Sequence, residues 1–275
     1  MSTRPNVLFI ITDNQSDWTL GCYGNDEIRT PNIDALSAGG VRFDNAYCVN
    51  PVCSPNRATY LTGRMPSQHG VHNWLGREEP DSQIGPDAYR TIEEFETLPA
   101  LLTLNGYRAG MVGKWHLGDS LHPQLGFEYW FAKPKGHTSS FYNAEAIWNG
   151  VVYIEPRYYT DVIADHAIDF LENHGAEATG DRPFFLYVGF NGPYGLDNDL
   201  RTGHSNRWTD YYADRELECF PRLEPHPNQV QYLDLLGSQT ARSGYAAAIS
   251  GVDDAVARIL DRIDAMKERE NTLIV

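Results

Sequence analysis

Four short apolar runs constrain this chain more than any other feature. NVLFIIT (residues 6–12), RAGMV (108–112), PFFLYVGF (183–190) and the final NTLIV (271–275) are too short for buried helices and are rich in branched and aromatic residues. Such runs suit strands covered on both faces, as in a parallel sheet. The first three are each released into polar or turn-forming residues: Asp13-Asn14-Gln15, then Gly113 with Lys114 and His116, then NGPYG. In open α/β sheets, ligands bind at the carboxyl ends of the strands. The pattern therefore predicts an α/β fold with its chemistry at one sheet edge.

Helical segments separate the runs. RTPNIDALSAGG has Thr30 as a candidate N-cap, Pro31 in the first turn and Gly39-Gly40 as a stop. TLPALLTLNG reads as a helix ending near Asn105-Gly106, and YYTDVIADHAIDFLENH has apolar residues at helical spacing. SGYAAAISGVDDAVARILDRIDAMKERE reads as a long amphipathic helix interrupted at Gly251, its aspartates forming a solvated face. Residues 119–157 are rich in Gly, aromatic and polar residues and read as a long loop around a site. Residues 195–235 read as irregular surface. The repeated β-then-α order shows no internal repeat or domain boundary, so 275 residues are expected to form one α/β unit. The closing strand has no turn after it, which leads to the expectation that the domain continues beyond Val275.

Composition narrows the function. A hydrophobic fraction of 41% without low-complexity tracts describes a folded domain. The net charge of -15 argues against a nucleic-acid partner, which needs clustered Lys and Arg. No stretch approaches membrane-spanning length, and the N-terminus lacks the pattern of a signal peptide, so a cytoplasmic location is the default expectation. Four cysteines without a CxxC pair suggest reduced thiols.

The candidate chemistry sits in three places. In CSPNRATYLTGR, a proline near a helix start places Cys53 by the positive end of the helix dipole, where a thiolate or anion is stabilised. Arg57, one turn on, can point back to the same spot; a buried structural thiol is the plainer alternative, and Cys48 is read that way. Asp13 and Asn14 offer hard oxygen donors suited to Ca2+ or Mg2+, or else an Asx turn. GKWHLG supplies Lys114 to stabilise an anion and His116 as acid or base, against the alternative of a surface lysine and a core histidine. His69 and His72 name no metal motif, whereas His137, in KGHTSSFYN, either approaches a substrate or caps a turn.

Taken together, the strand followed by TDN, GCYGN, TPNIDALSAGGVRFDNAY, CSPNRATYLTGR, GKWHLG, PFFLYVGF and YAAAISGVDDAVARIL resemble the sulfatase family, formylglycine-dependent enzymes of the alkaline-phosphatase-like superfamily. The resemblance runs over nearly the whole chain. CSPNRATYLTGR is its most specific part, fitting Cys-x-Pro-x-Arg with a trailing Thr-Gly-Arg. It implies an α/β/α sandwich around a mostly parallel sheet, of which residues 1–275 would be the N-terminal catalytic portion. It further implies that a formylglycine-generating enzyme converts Cys53 to an aldehyde that hydrates to a geminal diol. One hydroxyl would attack sulfur, and the other would re-form the aldehyde as sulfate leaves. Asp13, Asn14 and modified residue 53 would hold a divalent metal, Ca2+ foremost with Mg2+ or Mn2+ as alternatives. Arg57, Lys114 and His116 would hold the diol and the sulfate oxygens. The implied substrate is an alcohol, sugar or aryl sulfate ester.

Three departures from the family pattern stand out. Asn14 occupies a position that is often Asp. NGPYG carries no histidine to assist the leaving group, which leaves Tyr194 as a substitute donor, or an acid from elsewhere. The family's remaining metal ligands and a further lysine follow the strand that begins at NTLIV, and those residues are not in this chain. A phosphate or phosphonate ester hydrolase, or a non-catalytic anion-binding homologue, fits the same motifs. The oligomeric state is left open by the sequence.

Overall fold

The apolar runs assemble into one seven-stranded sheet in a computed structural model that describes residues 4–76, 81–136, 140–174, 182–194, 206–222, 227 and 238–275. The strands are β1 (Asn6–Ile11), β2 (Arg108–Lys114), β3 (Tyr129–Lys133), β4 (Ala144–Trp148), β5 (Val151–Glu155), β6 (Phe184–Gly189) and β7 (Thr272–Ile274). Their order across the sheet is β5-β4-β3-β2-β6-β1-β7. β3, β2, β6, β1 and β7 run parallel, while β4 and β5 form an antiparallel hairpin at one edge. The helices are α1 (Pro31–Ala38), α2 (Cys53–Thr62), α3 (Pro66–His69), α4 (Leu98–Leu104), α5 (Tyr159–His174), α6 (Thr209–Tyr212) and α7 (Gln239–Ala265).

Period-two alternation explains why β1 and β6 carry apolar residues on both faces. Along β6, Phe184, Leu186 and Val188 enter the core shared with α5 and α7, whereas Phe185 and Tyr187 enter the core beneath α2. On β1, Leu8 and Ile10 face the first core and Val7, Phe9 and Ile11 the second. The sheet is thus sandwiched between helical layers, and each fully buried large side chain contributes about 1.5–3 kcal/mol. Parallel pairing brings the ends of β1, β2 and β6 to the same edge. Close approach there is enforced at Gly113, whose φ is +100° and where a Cβ would stand 2.1 Å from the Gly189 carbonyl oxygen.

Several sequence expectations are corrected. Residues 119–157 are not a long loop: they hold β3, β4 and β5, and Trp130 and Phe131 are core residues. The β4–β5 turn at Asn149-Gly150 has φ of 52° and 74°, the left-handed geometry that suits a tight hairpin. Gly251 does not interrupt α7, because the missing side chain makes room for Asn206 and Tyr158 without breaking the helix. Asp253 is not on a solvated face. It is buried and accepts hydrogen bonds from the Asn32 and Ile33 backbone N–H groups, at 3.1 and 2.8 Å, and from Asn32 Nδ2 at 2.7 Å. It thereby caps α1 from a distance, while Thr30 Oγ1 accepts from Gly21 N and donates to Asp34. Within the span read as irregular surface, α6 packs Tyr212 into a core with Leu217; residues 195–205, 223–226 and 228–235 lie outside the described residues. Cys48 is exposed rather than buried, and Cys22, Cys48, Cys53 and Cys219 are free thiols. No helix among the described residues is long and apolar enough to cross a membrane.

Candidate active site

Helix α2 opens on Cys53, with Pro55 in its first turn and Gly63 closing it at φ +64°. Its N-terminal end meets the carboxyl edge of the sheet, where Asp13 follows β1, Lys114 ends β2 and Tyr194 follows β6. Lys114 Nζ lies 3.4 Å from Cys53 Sγ and 2.7 Å from Asp13 Oδ2. Arg57 Nη2 donates to the same Asp13 oxygen at 3.1 Å. Tyr194 Oη donates to Asp13 Oδ1 at 2.6 Å and stands 4.0 Å from Cys53 Sγ. Asp13, Cys53, Arg57, Lys114 and Tyr194 therefore form one cluster.

The charges in that cluster do not cancel. One carboxylate faces two cations, and Lys114, Arg57 and Asp13 are 0%, 1% and 7% exposed. Burial works against ionised Asp13, but Lys114 and then Arg57 overcome it and hold the carboxyl well below the usual range. Burial opposes the Arg57 charge too, yet Tyr187, Asp13 and the Cys53 sulfur more than compensate and keep it charged. Burial and the adjacent Asp13 carboxylate push the Tyr194 phenol up, so it stays a donor. The surplus positive charge sits beside the Cys53 sulfur, at a helix N-terminus. It suits a tetrahedral anion held against residue 53.

Arg57 is braced from below. Its Nη1 donates to the Lys114 carbonyl at 2.7 Å and to Tyr187 Oη at 3.1 Å, and Tyr187 stacks on Phe9 with ring centroids 5.7 Å apart. The apolar reading of PFFLYVGF missed this hydroxyl, although a Tyr in a fully buried strand needs a partner.

The other candidates fall in different surroundings. His116 is buried two residues beyond Lys114, with φ of 63°, and its Nε2 donates to the Leu75 carbonyl at 2.5 Å. Burial, reinforced by the Lys114 charge, lowers its pKa to about 3, so it is a neutral imidazole. Asn14 also has a left-handed backbone, φ 61°, and its carbonyl accepts from Tyr245 Oη at 2.6 Å. Such backbone geometry in non-glycine residues is uncommon and collects at functional sites. His69 is a buried structural residue bonded to Thr59. His137 lies outside the described residues.

Asp13 and Asn14 offer hard oxygens at a strand end, as a Ca2+ or Mg2+ site requires. By donor type they would form only part of a shell; no cluster of three or more His, Cys, Asp or Glu placed to hold a metal occurs among the described residues. A groove of about 800 Å3 opens elsewhere, lined by Trp18, Tyr23, Tyr211 and Arg215, and none of the cluster residues line it.

The sulfatase family model matches residues 5–275. The chain is 30% identical over 292 residues to N-acetylgalactosamine-6-sulfatase of Canis lupus familiaris, covering 98% of this chain and 49% of that protein. It is 37% identical over 171 residues to N-acetylglucosamine-6-O-sulfatase of Bacteroides thetaiotaomicron, covering 62% and 28%. The structure of BT4656 in complex with its substrate D-glucosamine-2-N,6-O-disulfate superposes with a TM-score of 0.69 at 24% identity, covering 99% of this chain and 64% of that one. This likeness extends the agreement to the alkaline-phosphatase-like fold. Matched along 98% of its own length, the chain spans about half the length of the canine protein. With a family model matched along nearly its full length, the chain belongs to the sulfatase family.

Proposed function

We propose that this protein hydrolyses sulfate esters of sugars, with residue 53, converted from cysteine to formylglycine, as the nucleophile. One observation carries the reading: Cys53 Sγ stands 3.4 Å from Lys114 Nζ in a buried cluster with one positive charge in excess. In that geometry the sulfur stands in for an oxygen of the modified residue. A hydrated aldehyde there would supply one hydroxyl to attack sulfur as the S–O bond to the sugar alcohol breaks, and a second whose deprotonation would re-form the aldehyde and break the C–O bond to sulfate, with water then restoring the diol; a divalent cation, Ca2+ foremost, would lower the hydroxyl pKa. Asp13 and Asn14, with the oxygen of modified residue 53, would hold that cation.

The chain's own residues do the rest. Lys114 and Arg57 neutralise the charge that develops on the sulfuryl oxygens, and both are already desolvated, so little reorganisation is needed. Tyr187 and the Lys114 carbonyl fix the guanidinium plane. Asp13 keeps the two cations from repelling each other out of the site. Tyr194 Oη, 4.0 Å from the nucleophile position, gives its single proton to Asp13 Oδ1 and would serve the leaving side by turning that O–H away from the carboxylate. The sugar assignment rests on relatives whose names specify N-acetylhexosamine 6-sulfates.

The test is sulfate release from N-acetylglucosamine-6-sulfate and N-acetylgalactosamine-6-sulfate by the whole protein, co-expressed with a formylglycine-generating enzyme. Activity lost in Cys53→Ala is expected. A higher rate on matched phosphate or phosphonate esters, or full activity in Cys53→Ala, would overturn the assignment.

A further inference from the structure

The His116 ring is held by a strut that the catalytic cluster does not include. Its Nε2 lies 2.5 Å from the Leu75 carbonyl oxygen. A carbonyl only accepts, so Nε2 carries the proton and Nδ1 is left as a bare acceptor. Nδ1 is buried, and no hydrogen-bond partner reaches it among the described residues. On its other side the ring sits against Gly136, where any Cβ would fall within 2.0 Å of Nδ1 and Cδ2.

Gln83 ties both of these backbone pieces together. It is 1% exposed; its Nε2 donates to the Leu75 carbonyl at 3.2 Å and its Oε1 accepts from Gly136 N at 2.7 Å. One partner can only accept and the other only donate, so the orientation of the amide is fixed. The Leu75 N–H donates in turn to Ser54 Oγ at 3.1 Å, one residue past Cys53 on α2. The strut thus runs from the nucleophile helix, through Leu75 and Gln83, to both sides of the imidazole.

We propose that Gln83 is a positioning residue which, through the Leu75 carbonyl and the Gly136 backbone, locks His116 in the Nε2–H tautomer with Nδ1 as its acceptor. The catalytic consequence rests on the sulfatase reading: a bare Nδ1 can accept a hydrogen bond or a proton, and the wrong tautomer cannot. Burial together with the neighbouring Lys114 and Arg57 charges keeps the ring neutral, which agrees with the geometry.

Nitrogen NMR of the full chain with isotope-labelled histidine reads the tautomer directly, with the His116 signal identified by its loss in His116→Gln. A pyrrole-type Nε2 and a pyridine-type Nδ1 are expected. Gln83→Met should shift both signals toward the average of the two tautomers. In the modified enzyme it should lower kcat about ten-fold while KM stays within about two-fold. Gln83→Asn, too short to span both partners yet polar enough to fill the site, gives the same shift if the methionine variant does not fold. A pyridine-type Nε2 in the parent protein, or an unchanged spectrum in a folded Gln83 variant, overturns the proposal. The spectrum decides this even if the parent protein releases no sulfate, an outcome that would count against the function proposed above and not against the strut.

Discussion

Replacing Asp13 with Asn removes the single negative charge between two buried cations while keeping the shape of the side chain. With an effective dielectric of about 20, the contacts at 2.7 and 3.1 Å from Lys114 and Arg57 represent gross attractions of about 6 and about 5 kcal/mol. Desolvation of three charged groups offsets most of that gain in the parent protein. The variant keeps the desolvation of Lys114 and Arg57 but loses its compensation, the circumstance in which breaking a buried pair costs about 3–5 kcal/mol. The amide oxygen still accepts one hydrogen bond, so the expected loss is near the lower end, about 3 kcal/mol. Urea denaturation at pH 7 measures it as a lower midpoint at unchanged slope. Because the pair is buried, added sodium chloride should not erase the difference. Inorganic sulfate should restore part of the stability by binding the unopposed cations of the folded state. A loss under about 1 kcal/mol would show that the carboxylate does not hold the cluster together.

Other expectations follow from single contacts. His116 is neutral with its pKa lowered to about 3, so the unfolded chain binds the extra proton between that value and about 6.5, and stability falls as pH drops through this window. At pH 5 this amounts to about 2 kcal/mol relative to neutral pH, and denaturation of His116→Gln should show a correspondingly shallower acid dependence. Tyr187→Phe preserves the stacking on Phe9 but removes one acceptor from buried Arg57, with an expected cost of about 1.5–3 kcal/mol by the same denaturation assay. Asp253→Ala strips the remote cap from α1 and should cost about 2 kcal/mol, accompanied by faster amide exchange at Asn32 and Ile33.

The parts of the fold that could be read in the sequence are those where burial leaves no choice. β1 and β6 are covered on both faces, so apart from Asn6 and the Tyr187 hydroxyl their side chains are apolar, and α1 is bounded by Pro31 and Gly39. Strands β3 to β5 were harder to read because they lie toward the edge: β5 exposes Val151, Val152 and Ile154, and β3 is built from aromatics that also populate loops. One signal was nonetheless present in the Asn149-Gly150 dipeptide between two alternating segments. Asp253 was misread because a helix pattern cannot tell a solvated carboxylate from one aimed at the start of another helix. In the site, Asp13, Cys53, Arg57 and Lys114 were legible since each lies at the end of a strand or the start of a helix. Tyr187, Gln83 and the Leu75 carbonyl were not, because their roles depend on pairings between segments distant in sequence.

What residue 53 becomes decides the chemistry. Trypsin releases the peptide from Phe43 to Arg57, which contains both Cys48 and Cys53. Its mass, measured after expression alongside a formylglycine-generating enzyme, should correspond to an aldehyde at position 53 and a thiol at position 48, and the peptide should react with a hydrazide probe. A peptide carrying two intact thiols from the native host would contradict the formylglycine nucleophile and the hydrolysis proposed from it.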